Sequence, residues 1–304
     1  MKSSMILFIP LILFSCAKST DADVTKLLRT EATDYNGNIL YTEYNYDHNE
    51  RITIIRHAEY NGQPADTITV SYNGNEAILL SFPKDDPVYK KTKEVRLALD
   101  ANGKMLKRIA YTHGISMLPA VYLTERFIYD TLTAAYDAAG FLKETKEGLY
   151  DSTRVDPSYY NVRNLSSTVT YTTISGNVTK SDEFAVYPGI MHQADTNIIS
   201  GGSSEYHSVF SYTKSFPNKT DFRNAAVLNE YRDYYEAFLD INYKNMTDQV
   251  VQSSTDKDIN GTIIFSGGST VDITRSYNTE GLLSEVNILT PATQFRKILY
   301  FYGR

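Results

Sequence analysis

The chain has 304 residues, with 30 basic against 36 acidic side chains and a net charge of −6. No stretch combines clustered Lys and Arg with interleaved aromatic residues, so nucleic acid is not a predicted partner. The length suits one large β domain or two smaller ones, and no long low-complexity block interrupts it.

The N-terminus has the pattern of a secretory signal peptide. Lys2 supplies a short positive region, and Met5 to Phe14 form a ten-residue apolar run. As a helix this run spans only ~15 Å, against a hydrocarbon core of ~30 Å, so a permanent membrane helix is not expected. The run leads directly into the sequence Leu-Phe-Ser-Cys, which ends at Cys16.

Cys16, the only cysteine of the chain, resembles the modified cysteine of the lipobox in bacterial lipoproteins. The resemblance implies a diacylglyceryl group on its thiol, and the alternatives are a buried small hydrophobe or a stray thiol. We expect residues 1–16 to be the lipoprotein signal with its lipobox cysteine, and residues 17–33 a polar tether. The predicted location is the cell envelope, as an outer-membrane lipoprotein held by the lipid on Cys16. Its face, periplasmic or surface, is left open.

A short turn motif recurs from Asp34 onward. Asp or Asn comes first, Gly usually fourth, and an apolar residue two positions later, as in Asp-Ala-Asn-Gly-Lys-Met from Asp100. The leading side chain accepts hydrogen bonds from nearby amides, and the Gly supplies the positive φ that completes a hairpin with a bulge. The predicted structural turn residues are Asp34, Gly37, Asp47, Asp100, Asn102, Gly103, Asp137, Gly140, Asp258, Gly261, Asn278 and Gly281.

The spacing of the turns predicts the fold class. Between Asp34 and Ser71 the steps are 13, 12 and 12 residues, which leaves strands of ordinary length between turns. The intervening segments are rich in Tyr, Thr, Ile and Val, as strands are. We therefore predict a mainly β protein: a many-stranded antiparallel up-and-down meander, in the form of a curved sheet, an open barrel or a sandwich. It is expected to be a single domain over residues 34–304.

One amphipathic helix is predicted from Asp221 to Ile241, because apolar and aromatic residues such as Val227 and Tyr231 recur there at helical spacing. Such a helix would cover an open end or edge of the sheet. Residues 187–225 are rich in Gly, Ser, Pro and Asn and are predicted to be irregular. Loop and helix together form a predicted insert at about 187–241, where function is first sought.

The recurring pairs of a large residue and Asp or Asn ahead of a turn resemble the tyrosine-aspartate repeats of large bacterial shell and wall proteins. The pairs are Tyr46-Asp47, Leu99-Asp100, Tyr136-Asp137 and Tyr277-Asn278. Together with the lipobox, they resemble a bacterial lipoprotein family with tyrosine-aspartate repeat-like hairpins and a porin-like β-meander fold. That family has no assigned activity, so the resemblance implies a fold and an anchor but no site residue. "Porin-like" does not require a pore, since a protein with this much polar surface need not be inserted in lipid.

A calcium site is the sharpest metal hypothesis. Asp256, Asp258 and Asn260 match the first half of a calcium loop, but its twelfth position is Gly267 where a bidentate Glu is needed. The segment is also explained as another copy of the turn. A plain hairpin is therefore the favoured interpretation, and no metal or other cofactor is predicted.

Catalytic patterns are weak. Ser211 and Lys214 fit a Ser-x-x-Lys spacing, but the companion motifs of penicillin-binding enzymes are missing. The five His residues are scattered without metal-binding or catalytic spacing: His48, His57, His113, His192 and His207. The sequence therefore predicts a protein that is not an enzyme.

Two functional hypotheses follow. The first is a lipid-anchored scaffold that contacts a glycan, a peptide or an envelope protein through the 187–225 segment and Tyr-rich strands, although Tyr also simply suits half-exposed strands. The second is a carrier whose curved sheet holds a lipid or other apolar ligand under the predicted helix. An enclosed apolar cavity of several hundred Å³ beneath that helix would favour the carrier. A line of exposed Tyr on one face would favour contact with a glycan or protein.

Overall fold

The computed structural model describes residues 26–34, 36–58, 64–83, 89–117, 123–155, 159–192, 198–212, 227, 248–288 and 295–303. These residues form antiparallel strands joined by turns, which confirms a mainly β meander. The strands are β1 Lys26–Asp34, β2 Ile39–Tyr46, β3 Ile52–Ala58, β4 Pro64–Asn73, β5 Glu76–Pro83, β6 Tyr89–Leu99, β7 Met105–Met117, β8 Leu123–Tyr136, β9 Leu142–Val155, β10 Tyr159–Ile174, β11 Asn177–His192, β12 Ile198–Ser211, β13 Gln249–Asp258, β14 Ile263–Tyr277, β15 Leu283–Ile288 and β16 Phe295–Gly303.

The sixteen strands close into a barrel in which each strand pairs with its neighbours in sequence. Closure comes from β1 and β16, which pair antiparallel from Lys26 opposite Gly303 to Asp34 opposite Phe295. Of the three sheet forms that the sequence left open, the chain adopts a barrel, and a closed one. Closure removes the free edges of an open sheet along this seam.

The start of the barrel lies earlier in the chain than the predicted domain. Residues 26–33, expected in the tether, belong to β1. The strand is hard to recognise because its most buried side chains are the small or polar Thr30, Ala32 and Asp34.

The segment predicted to be irregular also contains strands. β11 continues to His192 and β12 occupies Ile198–Ser211, where Gly201, Gly202 and several Ser residues mimic a loop in composition. Both neighbours of β12 pair with it along most of its length, so tertiary pairing overrides the weak local preference.

The predicted helix Asp221–Ile241 lies outside the described residues, apart from Val227. In the part of the chain that the structure describes, no helix has the length and apolar character needed to cross a bilayer.

The strand register assigns side chains to the lumen or the outer wall, because paired residues share a face and successive residues alternate. One face is fully buried at Ile55, Ile68, Leu79 and Val95. In a closed barrel the shielded face is the inner one, so these side chains point into the lumen.

Two apolar clusters fill this side of the sheet. The first comprises Tyr44, Ile52, Ile55, Ile68, Val70, Ala77, Leu79, Val95, Leu97, Ala110 and Val227. The second comprises Ala32, Val250, Val271, Ile273, Leu283, Val286, Ile288, Ile298 and Tyr300. The core therefore lies inside the barrel, along β1–β7 and β13–β16.

The recurring turns share one hydrogen-bond geometry. Asp100 accepts the backbone N–H groups of Asn102 and Lys104 on one carboxylate oxygen, each at 2.8 Å. Gly103 has a φ of 81°, and its N–H donates to the Asp100 carbonyl at 3.0 Å. The same side-chain acceptor recurs at Asp34, Asp47, Asp137, Asp258 and Asn278. The fourth position is Gly in each of these turns except the one after Asp47, where Glu50 takes a φ of 61°.

Candidate functional site

The outer wall of the barrel is charged. Neighbouring charges form ion pairs along it, such as Lys180 with Asp182 at 2.8 Å and Lys257 with Glu205 at 2.7 Å. Charged side chains that the register assigns to this wall are Arg29, Glu31, Glu43, Arg56, Glu94, Arg96, Lys107, Glu144, Lys146, Lys180, Asp182, Glu205, Lys257, Asp272, Glu285 and Lys297. A lipid-facing wall instead carries an apolar band ~25 Å tall between aromatic girdles.

Three tyrosines form a row across the outer wall of β7, β8 and β9. Tyr111 lies directly opposite Tyr129, and Tyr129 directly opposite Tyr150. Their exposed fractions are 44%, 46% and 38%. Side chains directly opposite each other start ~5 Å apart, so the rings lie side by side. We refer to Tyr111, Tyr129 and Tyr150 as the tyrosine row.

A second aromatic pair extends the tyrosine row toward the end of the barrel where β8 begins. His113 stacks on Phe127 with ring centroids 4.4 Å apart and an interplanar angle of 7°. The Nε2 atom of His113 lies 3.0 Å from Glu125 Oε1. On the other side of the row, Gly148 has no side chain beside Tyr150. The result is an open aromatic platform with a polar group at its rim.

The hydroxyls of the tyrosine row have no hydrogen-bond partner among the described residues. Several tyrosines near the ends of other strands differ in this respect, because they donate to a backbone carbonyl of the preceding strand. Tyr72 donates to Ile52 at 2.9 Å, and Tyr136 to Met105 at 2.8 Å. Hydroxyls used in this way hold the fold together, whereas those of the tyrosine row are available to a ligand.

The lumen side of β7–β11 is polar, in contrast to the apolar clusters. Arg108 pairs with Asp130, and both side chains are largely buried. Burial raises the pKa of the Glu147 carboxyl, with a further increase from the nearby charge of Asp130. Burial also raises the pKa of Glu183, which a hydrogen bond from Ser167 partly offsets. Glu147 and Glu183 therefore take up protons more readily than exposed glutamates do.

The calcium candidates are used by the hairpin. Asp258 accepts the N–H groups of Asn260 and Thr262 at 2.9 and 2.8 Å, as the other turns do. Asp256 lies on the lumen side opposite Ser204. Within the described part of the chain, no three His, Cys, Asp or Glu side chains approach closely enough to hold a metal ion.

The catalytic candidates are not brought together. Ser211 ends β12, and Lys214 lies outside the described residues. His57 faces Thr42 in the lumen, while His207 pairs with Asp182 on the outer wall at 2.6 Å. Cys16 also lies outside the described residues.

A pocket of about 420 Å³ opens between the β14–β15 turn and the end of β16. Its lining includes Glu280, Tyr300 and Tyr302. No residue of the cluster around Val227 contributes to it. It therefore differs from the cavity that a carrier would need beneath the predicted helix.

Sequence reasoning found an excess of Tyr but did not identify the tyrosine row. The sequence does contain a signal for part of the row: Tyr129 and Tyr150 are separated from the Asp137–Gly140 turn by nearly equal numbers of residues. A two-stranded hairpin pairs such positions directly. Tyr111 requires the register across residues 118–122, which no local motif provides.

Comparison with known proteins gives similarities of overall structure. No protein-family model matches the chain, and no curated protein matches it. A porin-like protein from Bacteroides vulgatus aligns over 92% of this chain and 99% of its own, at 12% identity and a TM-score of 0.47. A porin-like protein from Bacteroides uniformis aligns over 91% and 98%, at 10% identity and a TM-score of 0.43. Neither similarity bears on what this chain binds.

Proposed function

We propose that this chain is a lipid-anchored, non-enzymatic binding protein of the cell envelope, and that the tyrosine row holds a carbohydrate. The observation that carries the proposal is the alignment of Tyr111, Tyr129 and Tyr150 on one exposed face with unused hydroxyls. Anchoring is assigned to a lipid on Cys16, in the outer membrane.

The chemistry of the row suits a sugar polymer. An aromatic face stacks on the C–H surface of a sugar ring, and a phenol hydroxyl both donates and accepts a hydrogen bond. Rings spaced ~5 Å apart across three strands offer several such contacts in a line. His113 and Glu125 supply polar groups beside the row. A neutral or weakly charged glycan suits this surface better than a strongly charged one.

The outer wall supports an anchored barrel over an inserted one. Charged residues on the wall, such as Glu43 and Arg56, would each lose hydration in lipid. Two or three acyl chains on Cys16 are sufficient for stable membrane attachment without burying the barrel. A protein held in this way keeps the tyrosine row in water, where a glycan can reach it.

Burial near Val227 counts against the carrier hypothesis. Val227, Ile52, Ile55, Ile68 and Leu79 are each 0% exposed. A cavity large enough for water against these side chains would appear as accessible surface. These five side chains therefore leave no water-sized space against them.

The carbohydrate proposal is tested by titrating neutral polysaccharides into the form that begins after Cys16, followed by calorimetry or affinity electrophoresis. Replacing Tyr111, Tyr129 and Tyr150 together by Ala should abolish binding, since each stacked ring contributes ~1 kcal/mol or more. Phe184→Ala is the matched control, because Phe184 is 50% exposed on the outer wall of β11. Binding that survives the triple variant, or binding of peptides alone, would overturn the glycan assignment.

The anchor is tested separately by metabolic labelling with palmitate. The wild-type chain should take up label and fractionate with membranes, and Cys16→Ala should do neither. Equal labelling of both forms would remove the lipid anchor while leaving the tyrosine row proposal intact.

A further inference from the structure

The first strand begins at one end of the barrel, a short distance along the chain from Cys16. Lys26 opens β1 and lies opposite Gly303 at the close of β16. Nine residues, 17–25, separate Lys26 from Cys16. A segment of that length spans at most ~32 Å when fully extended. We refer to the end of the barrel at Lys26 and Gly303 as the anchor end, and to the opposite end as the distal end.

The alternation of strand direction assigns each turn to one of these ends. Turns at the anchor end join β2 to β3, β4 to β5, β6 to β7, β8 to β9, β10 to β11 and β14 to β15, and they contain two or five residues each. Turns this short project little beyond their strands. The connection between β12 and β13 also leaves from this end, and its described residue, Val227, packs inside the barrel. The short turns therefore form a low rim.

Basic side chains lie over tyrosine rings at this rim. The pairs are Lys26 with Tyr46, Arg51 with Tyr72 and Lys104 with Tyr136, at 5.9, 4.4 and 5.3 Å from the ring centroid. Tyr, Lys and Arg are the residues that proteins place where they meet the headgroup region of a bilayer. Glu50 and Asp47 pair with two of these bases. The rim therefore carries both signs of charge and suits zwitterionic headgroups.

The distal end carries a competing candidate for lipid contact, the tip of the β13–β14 hairpin. Ile259, Ile263, Ile264 and Phe265 are 64%, 60%, 69% and 55% exposed. β14 has 15 residues and is ~50 Å long, so at a strand tilt of 35–45° it rises ~35–40 Å along the barrel axis. A barrel with its distal end on the bilayer would hold Lys26 at about that height, beyond the reach of a ~32 Å segment.

We infer that the anchor end rests on the surface of the bilayer that holds Cys16, with the distal end pointing away from it. The inference rests on the proposed lipid anchor. A short segment attached to one end of a rigid barrel keeps that end within the length of the segment from the surface. The low rim then meets the headgroups, and the apolar hairpin tip faces away from the lipid.

This orientation sets the height of the tyrosine row above the membrane. Tyr129 lies in the middle of β8, seven residues from Tyr136 at the anchor end. Seven residues of tilted strand rise ~15–20 Å. The tyrosine row therefore stands clear of the headgroup region, with its exposed rings in water.

Energy transfer from a labelled residue to acceptor-labelled lipid headgroups measures the orientation. The sample is the full chain, purified with its lipid and added to preformed phospholipid vesicles. Cys16 is the only cysteine, and with its thiol occupied by lipid a single introduced cysteine takes the dye. Ala139→Cys and Asn260→Cys are a matched pair, because both residues hold the third position of the same Asp-led turn, at opposite ends of the barrel.

Transfer from residue 139 should exceed transfer from residue 260 at least ~threefold, because ~35 Å of barrel separates the two ends. Equal transfer would mean that the barrel lies on its side, and stronger transfer from residue 260 would mean that it is inverted. Either result overturns the inference. Both residues are exposed, so both variants should keep the wild-type melting temperature.

Palmitate labelling separates this inference from the anchor itself. If Cys16 takes up no palmitate, the anchor and the orientation both fail. If Cys16 is labelled and the two dye positions transfer equally, the orientation alone fails and the anchor stands.

Discussion

The hydroxyl of Tyr46 donates a 2.6 Å hydrogen bond to the carbonyl of Leu27 on the neighbouring strand. Tyr46 ends β2, and the next residue, Asp47, begins the turn. The same relationship joins Tyr72 to Ile52 and Tyr136 to Met105. In each case the tyrosine fastens the beginning of the preceding strand, while the following Asp or Asn begins the turn. At these three positions the tyrosine and the following Asp or Asn together hold the end of the hairpin.

Removing one of these hydroxyls should destabilise the barrel. Tyr72 is the best position, because its hydroxyl is desolvated and burial raises its pKa to about 12. Tyr72→Phe leaves the Ile52 carbonyl without its donor, at a cost of about 1 kcal/mol in the free energy of unfolding. Urea unfolding followed by circular dichroism measures the change. Tyr111→Phe is the control, and a loss of equal size there would show that the hydrogen bond is not the cause.

A substitution in the turn after Asp47 should increase the stability of the barrel. Glu50 adopts a φ of 61° where the corresponding turns have Gly, and a left-handed conformation costs a non-glycine residue ~1–2 kcal/mol. Its ion pair with Lys26, at 3.7 Å, is a surface pair of small energy. Glu50→Gly should therefore raise the free energy of unfolding by about 1 kcal/mol. Glu50→Ala loses the pair and keeps the strain, so a gain in that variant would contradict the explanation.

The turns and most strands could be predicted from the sequence, because short-range interactions determine them. An Asp followed by a Gly three residues later is sufficient to define the corner, because both act within five residues. Closure of the barrel is different, since β1 and β16 are separated by almost the whole chain. The lumen-facing Thr30 and Ala32 of β1 carry no hydrophobic pattern that would identify a strand.

The tyrosine row and the polar side of the lumen were not predictable for a related reason. Tyr111, Tyr129 and Tyr150 become a row only through the register of two hairpins, one of which lacks a recognisable turn. Arg108 and Glu147 look like outward-facing residues in the sequence, yet the register turns them into the lumen. The alternation of side chains along a strand shows which residues share a face. It does not show whether a charged residue is buried, because burial depends on what fills the barrel.

The acidic group in the lumen should make stability depend on pH. Burial raises the pKa of Glu147 above the 4.5 of an unfolded glutamate, Asp130 and Glu183 raise it further, and Arg108 lowers it. Above about pH 4.5 the Glu147 carboxyl is therefore protonated to a greater extent in the folded barrel than in the unfolded chain, so its contribution to stability falls as pH rises through this window. Glu147→Gln removes the free-energy cost of ionising this buried carboxyl.

We expect Glu147→Gln to melt at a higher temperature than the wild type at pH 7, with the difference disappearing near pH 4. Glu144→Gln is the control, because Glu144 pairs with Lys146 at 2.9 Å on the outer wall. Calorimetry across this pH range distinguishes the two. A Glu147 variant that is less stable than the wild type at pH 7 would mean that the carboxylate is needed to compensate Arg108.

The last prediction concerns Val227, which packs in the lumen with Ile52, Ile55 and Leu79 and is fully buried. Val227→Ala removes two methyl groups from a filled core, at a cost of about 2 kcal/mol from lost burial and the cavity left behind. Val251→Ala makes the same chemical change at a side chain that is 42% exposed, and should cost less than ~0.5 kcal/mol. Urea unfolding measures both variants. If Val227→Ala cost no more than Val251→Ala, the residue would not be part of the core, and the argument against a ligand-filled lumen would lose its support.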